Sequence, residues 1–193
     1  MVTKSKQIII GILLLMVCTT TFGLQVQPVA AADETFFDKQ FGAFGLVGWS
    51  LLPEAKSDFT LRRDWSGYAQ VKESDGDDGI RAYATHNIDL RDWTGNDDLT
   101  INFRYSATSS YSGSSQVTQF RIGIMDAALN VKWSFIARST STSIAWTDKT
   151  LTIPHEYLDA AEYTIYFGVY DAWDYCWNMK ANCDYITVSG QAK

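Results

Sequence analysis

The stretch LTINFRY, residues 99–105, alternates apolar Leu99, Ile101, Phe103 and Tyr105 with polar Thr100, Asn102 and Arg104. Successive side chains of an extended chain point to opposite faces, so a period of two marks a strand with one face in a core and the other in water. FRIGI (120–124) repeats the pattern with Phe120, Ile122 and Ile124. VKWSFIA sets Val131, Trp133 and Phe135 on one face, and YTIYFGV sets Tyr163, Ile165, Phe167 and Val169 against Thr164, Tyr166 and Tyr170. Strands are expected near 47–52, 57–62, 67–73, 80–90, 98–106, 117–125, 130–138, 150–153 and 162–170, closed by 184–188. Turn segments such as DGDDG, TGND and SYSGSS separate them, and only HEYLDAAE (155–162) suits a short helical turn. The chain holds 17 Asp against 5 Glu, and Asp favours turns where Glu favours helices. The expected fold is all-β, a two-sheet antiparallel sandwich with at most one short helical turn.

Residues 1–32 read as a signal peptide. Lys4 and Lys6 precede the apolar run Ile8 to Val17, and Ala30, Ala31 and Ala32 follow at the expected cleavage position. An uncleaved anchor is the alternative, but a span needs about 20 apolar residues. Cleavage after Ala32 leaves a single domain, 33–193, secreted or held at the cell surface, with no membrane insertion. Its 14 basic and 22 acidic side chains give a net charge of −8. Nucleic acid and anionic membranes are thereby disfavoured as partners, because both call for a basic footprint.

The segment YDAWDYCWNMKANCDYITV (170–188) crowds aromatics around two cysteines. A sugar ring offers a C–H face and a rim of hydroxyls, so a binder needs flat aromatic platforms beside a few amide or carboxylate partners. Trp173, Tyr175 and Trp177 are the candidate platforms, and Asp174, Asn178 and Asn182 the candidate hydrogen-bond partners. The competing reading is that one Trp plugs an open end of the sandwich. Cys176 and Cys183 remain once Cys18 leaves with the leader, and a pair in an oxidising compartment is most simply a disulfide bracing this rim. Two reduced thiols, or a metal pair, are the alternatives.

An enzyme is the weaker reading. His86 and His155 have no metal-ligand spacing, and no G-x-S-x-G elbow or phosphate-binding glycine loop occurs. A glycosidase needs two carboxylates across a cleft, whereas Glu73, Glu156 and Glu162 fall at expected strand ends or in the helical turn. The acidic run Asp75, Asp77 and Asp78 lacks EF-hand spacing and reads as a solvated hairpin loop.

The order of Trp49, SGYAQV (66–71), IDLRDWTGNDDLTINFRYSA (88–107), FRIGIMD and DYITV resembles the galactose-binding-like jelly rolls among bacterial and archaeal carbohydrate-binding modules, over residues 36–189. The resemblance implies a polysaccharide or other glycan as partner, bound at a loop rim or on the outer face of one sheet. At the rim it sets Asn182 where such modules place a hydroxyl-binding Asn. For the sheet face, alternation offers Tyr83, Asn102, Arg104, Arg121 and Tyr166 as outward candidates. It also implies a structural Ca²⁺ held by Asp184 with Glu34 or Asp38. A surface protein whose aromatic rim meets another protein stands as the alternative function.

Overall fold

The computed structural model describes residues 33–52, 60–72, 80–110, 118–171 and 178–193. The signal segment 1–32 and the acidic run 75–78 lie outside them. Among the described residues the strands are β1 (Asp33–Gln40), β2 (Ser50–Leu51), β3 (Thr60–Arg63), β4 (Ala69–Lys72), β5 (Ile80–Asp89), β6 (Leu99–Thr108), β7 (Thr118–Met125), β8 (Val131–Ser139), β9 (Ser143–Ile153), β10 (Glu162–Asp171) and β11 (Lys180–Gln191). They form two antiparallel sheets. One runs β3-β4-β11-β6-β9, with β1 also on β11, and the other runs β2-β5-β10-β7-β8. This is the expected two-sheet sandwich. It carries one helical turn more than expected, α1 (Phe41–Phe44), and the 155–162 segment yields only a 3-10 turn, His155–Tyr157, because Glu162 already opens β10.

The alternation read in the sequence is observed on β6, β7 and β10, whereas on β8 a register shift sets Val131 opposite Met125, exposed and off the face of Trp133 and Phe135. On β6, Leu99, Ile101, Phe103, Tyr105 and Ala107 are buried, and they pack with Phe120, Ile122 and Ile124 of β7 and Ile165, Phe167 and Val169 of β10. Aromatic rings run through the core: Phe120 stacks with Tyr105 at 4.6 Å and with Phe167 at 6.2 Å, and Trp49 meets Phe167 at 5.3 Å. Each such buried side chain stabilises by roughly 1.5–3 kcal/mol. The histidines serve this frame. The His86 ring packs against Phe37 and Trp49, and Asp98 binds both the backbone N–H and Nδ1 of His155 at 2.9 Å.

β11 is the axis of the larger sheet. β6 lies along one side of it, while the other side pairs first with β4 (Lys180–Cys183) and then with β1 (Tyr185–Gln191). Where the neighbour changes, Asp184 forms a β-bulge against β6. A bulge sets two residues against one and breaks the alternation. Cys183 and Ile186 are buried in the core, while Asp184 and Tyr185 both turn to the outer face.

Candidate functional site

The outer face of the six-stranded sheet is polar in successive rows, each set by strand register. In the first row Arg62 Nε donates to Gln70 Oε1 at 2.9 Å, Gln70 Nε2 to Asn182 Oδ1 at 2.8 Å, and Asn182 Nδ2 to Ser106 Oγ at 2.9 Å. This ladder crosses β3, β4, β11 and β6, and Gln70, Asn182 and Ser106 are all buried. The next row, at the bulge, holds Arg104 beside Asp184 at 3.3 Å and Asp148 at 4.0 Å, and Tyr185 donates its hydroxyl to Asp148 at 3.0 Å. The Arg104 Nε itself is buried without a hydrogen-bond acceptor. Beyond it Asn102 accepts from Thr150 at 2.6 Å and donates to Thr187 at 3.4 Å.

Two aromatics meet over the middle of this face. Tyr68, just before β4, and Trp146 of β9 touch edge to face at 5.0 Å, although three strand spacings separate their backbones. The Arg104 guanidinium lies under the same indole at 5.4 Å. Trp146 keeps 39% of its surface exposed. The turn before Tyr68 is fixed by Asp64, whose backbone N–H donates to Tyr68 O at 2.8 Å and whose carboxylate takes the Ser66 N–H at 3.0 Å. That backbone hydrogen bond holds the Asp64 carboxyl below its ordinary range. Burial, reinforced by Asp64, raises the Tyr68 hydroxyl. At the tip of the same hairpin Trp65 is fully exposed.

The sheet-face candidates divide between the two sheets. Asn102 and Arg104 belong to the face just described. Tyr83, Arg121 and Tyr166 stand on the outer side of the five-stranded sheet, on β5, β7 and β10. There Tyr83 and Tyr166 stack at 4.5 Å and are buried with Leu52 and Met125, and Arg121 lies 4.4 Å over Tyr170. Burial raises both tyrosine hydroxyls. The outward tyrosines are therefore packed rather than displayed. Gly123 makes this possible: a Cβ there would meet Tyr166 ring atoms at 2.7 Å and Trp133 O at 2.3 Å.

At the expected rim, Trp173, Asp174, Tyr175, Cys176 and Trp177 lie outside the described residues. Asn178 occupies the left-handed region, φ 56°, in the turn entering β11. Asn182 lies within β11, not on a loop, and both ends of its amide are engaged. Cys183 stands as a free, fully buried thiol, and Cys176, its partner in the expected bridge, lies outside the described residues. Cys183 occupies an inward position of β11, opposite Tyr105 and Ala69, and burial pushes its pKa well up.

The expected calcium ligands do not converge. Glu34 stands opposite Gly190 and Asp38 opposite Thr187, while Asp184 is committed to Arg104. Calcium takes six to eight oxygens, and a guanidinium at 3.3 Å from the principal carboxylate repels a cation. No cluster of three acidic, His or Cys side chains occurs among the described residues. The residues present do not fit the ion.

Sequence reasoning missed Tyr68, Gln70, Trp65 and Trp146. The strand carrying Trp146 was expected only from residue 150, because SIAWTDK lacks a clean alternation. The DWSG turn was the one available signal for Trp65 and Tyr68.

No family model and no curated protein matches this chain. Among solved structures it is similar to an arabinose-bound α-L-arabinofuranosidase, MgGH51, with TM-score 0.49 and 15% identity over 78% of this chain and 24% of that one. It is similar to a carbohydrate-binding module, CBM36, in complex with calcium and xylotriose, with TM-score 0.45 and 14% identity over 79% and 98%. It is also similar to the CBM22-1 xylan-binding domain from Paenibacillus barcinonensis, with TM-score 0.44 and 12% identity over 85% and 99%. Similarity at this level concerns the course of the chain and leaves the ligand to be argued from its own side chains.

Proposed function

We propose that the chain is an exported, non-catalytic carbohydrate-binding protein that receives a glycan on the outer face of its six-stranded sheet. The observation that carries the reading is the half-exposed Tyr68–Trp146 pair set among hydrogen-bonding rows. An indole offers its π face to the C–H face of a sugar ring, and the neighbouring Arg104, Asp148 and Tyr185 offer partners to the hydroxyls. The non-catalytic part is supported by the commitments of the titratable groups. Asp148 and Asp184 are drawn to the Arg104 between them, and both histidines serve packing or a turn. Trp173 and Trp177 belong to the proposal as a second contact at the rim.

The test is a titration of intrinsic tryptophan fluorescence with a panel of soluble polysaccharides, on the protein and on Trp146→Ala, Tyr68→Ala and Trp173→Ala/Trp177→Ala. Losing one stacked aromatic should weaken binding about tenfold. Unchanged affinity in the Trp146 and Tyr68 variants would remove the sheet face from the reading. A rim pair that alone abolishes binding would move the site to the loop, and silence with every glycan would favour a protein partner.

A further inference from the structure

Among the described residues, one end of the same face carries two lysines side by side. Lys72 of β4 and Lys180 of β11 stand directly opposite each other in the antiparallel register. They share the face of Gln70 and Asn182, two residues along each strand. Arg62 lies in the adjoining row, where its Nε donates to Gln70 Oε1. Among the described residues no carboxylate pairs with Lys72 or Lys180, and Arg62 has Asp64 near it, whereas Arg104 has Asp184 and Asp148 beside it. Like charges placed directly opposite on a strand pair are destabilising. The pair stands in a chain where 22 acidic side chains outnumber 16 basic ones, so compensating carboxylates were plentiful.

We infer that this end of the face receives the carboxylate of a uronic acid, so that the bound glycan is an acidic polysaccharide. This rests on the glycan reading above and narrows it. The two ammonium groups supply charge, and the planar guanidinium of Arg62 suits a carboxylate's two oxygens. Lys72 is four residues from Tyr68 along the chain, about 13 Å at ~3.3 Å per residue. The carboxylate therefore belongs to a different ring from the one stacked on the aromatics, and the ligand is a chain rather than a single sugar.

The experiment titrates the purified protein with polygalacturonate, neutral arabinoxylan, dextran sulfate and monomeric galacturonate, at about 50 mM and about 500 mM salt. Polygalacturonate should bind about tenfold tighter than arabinoxylan at the lower salt, the contribution of one charge-assisted hydrogen bond. That preference should disappear at the higher salt, in Lys72→Gln/Lys180→Gln and for the monomer. The double variant should melt no lower than the parent, since a like-charge pair is relieved, which separates lost preference from lost fold. Equal affinity for the acidic and neutral polymers, or a preference that survives the double variant, overturns the inference. A stronger preference for dextran sulfate overturns the carboxylate assignment. Failure of every polymer to bind is a different result and defeats the glycan reading itself.

Discussion

Replacing Asn182 by Ala separates two roles that one residue could play. In the structure its amide is the middle of a buried ladder, accepting from Gln70 at 2.8 Å and donating to Ser106 at 2.9 Å. Truncation leaves the Gln70 Nε2 donor and the Ser106 oxygen without their partner in a site closed to solvent. Each orphaned group costs about 1–3 kcal/mol, so the expected loss is about 2–5 kcal/mol of a total stability on the order of 5–15 kcal/mol. For a domain of this size, at ~2–4 °C per kcal/mol, the melting temperature should fall by roughly 5–15 °C. In Asn182→Ala/Ser106→Ala the orphaned oxygen is also gone, so the double variant should lose less than the sum of the two single losses. Urea unfolding followed by tryptophan fluorescence gives the stabilities, and glycan titration of the folded variants gives affinity. A variant as stable as the parent that no longer binds glycan would refute the ladder and return Asn182 to the ligand-binding role implied by the family resemblance.

Gly123→Ala should destabilise by about 1–3 kcal/mol or more, because its Cβ must displace either the Tyr166 ring or the β8 backbone; an unshifted urea midpoint would contradict this. Asp89 is held at about 2, below its ordinary 3.8, chiefly by the Arg91 side chain, which donates to both carboxylate oxygens. Its ionised form is favoured by folding, so the contribution is full above pH ~4 and disappears as pH falls through about 2. The stability difference between the parent and Asp89→Asn should therefore be constant above pH 4 and close between about pH 4 and 2, as read from acid unfolding curves; a difference independent of pH down to 2 would speak against it. In a protein with Cys18 and Cys176 changed to Ser, a thiol reagent should modify Cys183 only as the domain opens, and labelling as fast as that of a free peptide thiol would show the position to be exposed.

The fold was legible where alternation is clean. β6, β7 and β10 could be read from residues 99–105, 120–124 and 163–169, since burying one face needs only a local pattern. β1 was not, because adjacent Phe36 and Phe37 span a bulge against β11 and disturb the period. The first half of β9 escaped for the same kind of reason: Trp146 and Asp148 share an outer face with no apolar alternation to announce it. The candidate site was harder still. The chain changes sheet at nearly every connection, so Tyr68 meets Trp146, and Gln70 meets Asn182, only through pairings between distant strands. Alternation shows that a residue points outward, not which sheet it is on, and so Tyr83, Arg121 and Tyr166 were grouped with Asn102 and Arg104. Nor could it show that outward tyrosines would lie flat and buried, because that depends on the space left by Gly123 on a neighbouring strand.

Across Asp184 the two-residue rhythm of β11 changes phase. Before it the odd-numbered residues Ala181 and Cys183 face the core, and after it the even-numbered Ile186 and Val188 do. Exchanging the Asp184 side chain leaves that phase intact and touches only a partly exposed ion pair. Deleting the residue would bring Cys183 and Tyr185 together opposite Tyr105 and Arg104 and restore unbroken alternation, with Ile186 and Val188 still in the core. The same position should thus tolerate substitution and deletion alike, whereas adding or removing one residue further along β11 would turn every later side chain to the opposite face.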